Sequence, residues 1–157
     1  MLIYLLAFLI GVIAGLRSMT APAAVSWAAH CGWLQLGGTW LEFLGHTVTV
    51  CILTVLAIGE LIADKLPKTP SRKAPVGFMA RILAGALSGA AIGASGGSLY
   101  GGLAAGVVGA VIGTLGGYEF RVRLVRATGG KDLRIALLED VIAIGGGFLV
   151  VWTLWHG

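Results

Sequence analysis

The chain has 157 residues, 57% of them hydrophobic and 11% charged, with a mean hydropathy of +0.94. A soluble domain is nearer half apolar and a quarter charged, so this composition excludes an ordinary water-soluble fold and belongs to the membrane class. The net charge of +4 flanks apolar runs instead of forming a stripe on a polar domain, which argues against nucleic acid and for anionic lipid headgroups as partners.

Charge-poor apolar stretches run 2–16, 20–36, 46–63, 76–94, 99–117 and 136–154. A helix crossing the hydrocarbon core needs about 20 residues. The first stretch, MLIYLLAFLIGVIAGL, lacks the basic n-region of a signal peptide and is expected to be a retained span. The second carries Pro22 and His30 and is weakly hydrophobic; it either spans or re-enters. Lys and Arg mark the cytoplasmic side of bacterial membrane proteins. Lys65, Lys68, Arg72 and Lys73 lie between the third and fourth stretches, with Arg81 just inside the fourth. Arg121, Arg123, Arg126, Lys131 and Arg134 lie between the fifth and sixth. Six spans with both termini outside put Arg17 on that same side, so all 11 basic residues fall together. Trp33, Trp40, Trp152 and Trp155 then fall at the outer ends, as an interfacial aromatic belt requires. The expected fold is all-α, a single polytopic membrane helix bundle over 1–157 with about six transmembrane helices.

Leu9-x-Gly11-x-x-x-Gly15-x-x-Ser18 recurs as Leu87-x-Gly89-x-x-x-Gly93-x-x-Gly96, and Glu60-Leu61-Ile62-Ala63 as Asp140-Val141-Ile142-Ala143. Two halves of three spans, 1–74 and 75–157, would face opposite ways, which is the inverted-repeat plan of many transporters. Gly85, Gly89, Gly93 and Gly97 recur every four residues. Gly102, Gly106, Gly109, Gly113 and Gly116 follow mixed three-and-four spacing. Both read as packing seams, because lipid supplies no hydrophobic drive and van der Waals contact must hold such helices together.

Glu60 and Asp64 share a helix face, and Glu139 and Asp140 open the last span. Intramembrane charge is costly and is paired or lines a cavity. These carboxylates either pair with Arg17, Lys65, Arg81 or Arg134 as anchors, or form a proton- or cation-coupling site centred on Glu60. Arg17-Ser18-Met19-Thr20-Ala21-Pro22 breaks the apolar run and restarts a helix, and Thr69-Pro70-Ser71-Arg72 repeats the arrangement. A helix N-terminus beside an Arg is suited to an anion, from lipid or solute. Gly93-Ala94-Ser95-Gly96 resembles an intramembrane serine protease motif, but the last span offers no histidine base and His156 lies beyond its expected end. Cys31 and Cys51 fit no metal or disulfide pattern. No enzymatic activity, metal or cofactor is expected.

The segments GLRSMTAPAAVSWAA, GELIADKLPKTPSR and LLEDVIAIGG together resemble a family of small bacterial membrane proteins, domain of unknown function 4126. The resemblance covers nearly the whole chain. It implies a bacterial inner-membrane setting and assigns no site residues. The functional expectation is a small transporter or channel for a small ion or anionic solute, as a homodimer; the alternative is a scaffold that binds anionic lipid.

Overall fold

The computed structural model describes residues 1–66, 74–130 and 132–156. Six α-helices follow in order: α1 (Leu2–Leu16), α2 (Thr20–His30), α3 (Thr47–Ala63), α4 (Pro75–Ser95), α5 (Leu99–Ala127) and α6 (Asp132–His156). A short 3-10 helix, Trp40–Gly45, precedes α3. By length and composition α4, α5 and α6 can each cross a bilayer, whereas α1 and α3 are shorter apolar helices.

The predicted stretch 20–36 forms a helix only to His30. Gly32 takes a left-handed conformation (φ 78°), Trp33 N–H donates to the Ala28 carbonyl at 2.8 Å, and Gly32 N–H donates to that of Ala29 at 3.2 Å. That pattern closes a helix by satisfying its last carbonyls. The chain from Cys31 to His46 then folds back over the bundle, burying Leu34, Leu36, Leu41 and Leu44. Ser26 Oγ donates to the Leu44 carbonyl, and the His30 ring meets the Gly45 carbonyl at 3.0 Å. The fifth stretch errs the other way. Its apolar run ends at Gly117, yet the helix continues through Arg121 and Arg123 to Ala127, because straight-chain charged residues favour helix.

Glycine decides which helices touch most closely. α5 packs along both α1 and α4. A Cβ on Gly106 would meet the Gly85 carbonyl, one on Gly11 the Gly106 carbonyl, and one on Gly89 the Gly102 carbonyl. On the flank of α5 facing α1, Gly109 and Gly113 lie against the backbones of Phe8 and Val12. The seams read from the sequence are therefore backbone-to-backbone contacts between three helices. Gly97 and Gly116, by contrast, face open space, and Gly97 lies beyond the end of α4 in a left-handed conformation (φ 75°).

Each helix runs between two chemically distinct ends. At one, Tyr4 donates to Ser98 Oγ at 2.9 Å, and the Trp33 and Trp155 rings lie 6.2 Å apart. At the other, the α1–α2 turn meets the end of α3 and the first third of α6 through charges. α2 lies buried between α3 and α6. α3 is peripheral and buries only Val50 and Ala57.

The two halves do not pack alike. α1 and α4, the proposed equivalents, both grip α5. Glu60 and Asp140, also proposed equivalents, lie at the same end of the bundle, linked through residues 17 and 18. An axis in the membrane plane would carry equivalent residues to opposite ends.

Candidate functional site

Among the described residues, Arg17 in the α1–α2 turn is the most deeply buried charged side chain. Arg17 follows the last residue of α1 in an extended conformation, its N–H still bonded to the Ile13 carbonyl at 2.8 Å. Its side chain is 0% exposed. Arg17 is therefore held inside the bundle, where an uncompensated guanidinium is expensive.

Two carboxylates compensate it. One guanidinium nitrogen, Nη1, pairs with Asp64 Oδ2, and Nη2 lies 2.6 Å from Asp140 Oδ1. The delocalised charge of the guanidinium thus lies between two carboxylates, one at the end of α3 and one on α6. Lys65 reaches the other face of Asp140, with Nζ 2.7 Å from Oδ2, and also donates to the Leu61 carbonyl at 3.0 Å. The side chain of Lys65 is 28% exposed, so the layer opens toward the basic end at this residue.

Glu60 occupies the start of α2. Its Oε1 accepts from Ser18 N–H at 2.8 Å and Ser18 Oγ at 2.6 Å, and its Oε2 accepts from Met19 N–H at 2.8 Å. The first amide groups of a helix have no partner within it, and its N-terminus carries roughly half a positive charge. No side chain of α2 itself caps this end. Pro22 relieves one of those unmet donors because it has none. Glu60 thus caps α2 from another helix. Next along, the buried Thr20 hydroxyl has no hydrogen-bond partner among the described residues. In this layer two cations, Arg17 and Lys65, face three carboxylates, Glu60, Asp64 and Asp140; the third carboxylate is balanced by the helix end.

The sequence-derived candidates divide accordingly. Arg17, Ser18, Glu60, Asp64, Lys65 and Asp140 come together. Glu139 is buried and lies 3.7 Å from Arg121 of α5. Arg72 and its Thr69–Pro70 context lie outside the described residues. The anion expected at Arg17–Thr20 and the carboxylate chosen as the coupling residue are one arrangement, since Glu60 is the anion. Sequence reasoning missed this because nothing local links residues 42 positions apart. It also missed the Arg121–Glu139 pair, which joins α5 to α6. Ser95, the residue of the protease-like motif, donates to the Ile92 carbonyl at 2.7 Å. Among the described residues no group of three metal-ligating side chains converges.

The chain belongs to the family described as Domain of unknown function (DUF4126), whose match covers residues 4–153. Neither a curated protein nor a solved structure matches it.

Proposed function

We propose that this member of the family is a bacterial inner-membrane protein with six membrane-crossing segments and its basic end in the cytoplasm. In this reading it moves a small ion or anionic solute, and the Arg17–Glu60–Asp64–Lys65–Asp140 layer is the gate and binding site. The observation that carries it is the fully buried Arg17 between two carboxylates. Ionisable groups at such depth are retained for ion pathways and relays more than for stability, because apolar packing would hold the helices at lower cost. Ser18 and Thr20 add hydroxyls beside the layer, and Glu60, balanced by a helix end in place of a cation, is where the layer takes up a proton or cation. The reading rests on the charge layer and not on an interface between repeats.

A second copy of the chain is the expected partner, since six helices, three of them of 17 residues or fewer, enclose little volume, and membrane lipid covers the remaining apolar faces. The chain performs no covalent chemistry in this account. The anionic-lipid scaffold stays as the second reading, favoured by the pairing of the buried charges and by the exposed basic side chain of Arg123.

Reconstitution into sealed liposomes tests this. Proton, sodium and small-anion flux is measured for the unaltered protein and for Glu60→Gln. Flux above protein-free liposomes that falls about tenfold or more in the variant, roughly 1.4 kcal/mol on the barrier, is the expected result. No flux of any of these ions overturns the transport reading and leaves the scaffold.

A further inference from the structure

α3 is held by two different kinds of contact along its length. Val50, Leu53, Thr54 and Ala57 recur at three-and-four spacing and face α2 and the folded-back segment; Val50 and Ala57 are buried, and Trp27 Nε1 donates to Thr54 Oγ1 at 3.0 Å. Beyond Ala57 the described ties are polar: Glu60 to Ser18 and Met19, Asp64 to Arg17, and Lys65 to Asp140. Ile58 and Ile62 on the same stretch are exposed.

Gly59 stands where the first kind of contact gives way to the second. A Cβ there would meet nothing within 4 Å, so close packing does not explain this glycine, unlike those of α4 and α5. Glycine weakens a helix interior because it loses the most backbone freedom on ordering. A weak point therefore separates an apolar-packed shaft from a charge-held tip.

We propose that the tip of α3, Glu60 to Lys65, is a latch that bends about Gly59 and opens the buried charge layer to the basic end. Opening takes Glu60 off the start of α2, Asp64 off Arg17 and Lys65 off Asp140, while the shaft stays on α2. Among the described residues, the charged groups paired with the tip are Arg17 from the α1–α2 turn and Asp140 from α6. Loss of charge at Asp64 or Glu60 weakens the closed position. The inference rests on the layer being a gate, but its test reads movement and not flux.

Spin labels on the full chain in liposomes, in a Cys31→Ser, Cys51→Ser background, measure it. Ile62→Cys with Leu138→Cys reports the tip against α6; Val48→Cys with Trp152→Cys reports the shaft. Asp64→Asn is expected to add a tip distance longer by about 5 Å, one helical turn, with the shaft distance unchanged. Adding Gly59→Ala is expected to remove that longer distance. An unchanged tip distance in Asp64→Asn overturns the latch, and so does a longer distance that Gly59→Ala leaves in place. Equal movement of both pairs overturns it too, since α3 then moves as one body. Opening without flux overturns the transport reading alone; flux without opening overturns the latch alone.

Discussion

Arg17 is the residue whose removal strands the most. Arg17→Gln leaves the buried Asp140 with Lys65 as its remaining described partner and takes from the half-buried Asp64 its described cation. Breaking a buried pair by deleting one partner costs about 3–5 kcal/mol, so a large fall in the thermal midpoint of the purified protein is expected. Arg17→Lys should recover only part of it, because a compact ammonium lacks the two separated nitrogens that meet the two carboxylates. Equal stability of Arg17→Gln and the unaltered protein would show that the layer is not a structural charge balance. At this scale the sequence was informative about identity and silent about pairing. Charge in an apolar run singled out Arg17, Glu60, Asp64 and Asp140. Which carboxylate met the guanidinium and which met the helix end depended on how three distant segments pack, and on backbone amides that carry no sequence signature.

Helices were legible where their ends carried chemistry and misjudged where hydropathy alone drew the edge. α1 came out with the bounds its apolar run gives, closed by Arg17. α2 was read six residues too long, to residue 36, although Cys31-Gly32 held the stop signal in a glycine placed just past the helix. Glycine also separates two testable classes here. Gly106→Ala should separate α5 from α4 and lower stability by about 1–3 kcal/mol or more, the usual cost of overpacking, since its Cβ meets the Gly85 carbonyl. Gly59→Ala meets nothing and should raise stability by about 0.5–1 kcal/mol through helix propensity. Thermal unfolding of both variants in the same detergent checks the contrast. A destabilised Gly59→Ala would remove the case for a hinge.

For the molecule as a whole, the lasting feature of the sequence is the separation of its two ends, one marked by tryptophan and one by charge. The structure gives this a three-dimensional form, since Arg17 meets Asp64, and through Asp140 shares a layer with Lys65. The proposed repeat was the part least recoverable from sequence. Gly-rich apolar helices resemble one another for packing reasons alone, and here both glycine motifs serve contacts with the same helix, α5. The account turns on whether the short α2 completes a crossing and so returns the chain to the tryptophan end. Labelling with a membrane-impermeant maleimide, from each face of oriented vesicles, reads this directly at three single cysteines: Leu2→Cys, native Cys31 and Ala127→Cys, with the remaining native cysteines replaced by serine. All three positions are exposed. Leu2→Cys and Cys31 should react from one face and Ala127→Cys from the other. Reaction of Leu2→Cys from the same face as Ala127→Cys would mean that α2 does not cross, and would contradict the placing of Arg17 with the other basic residues.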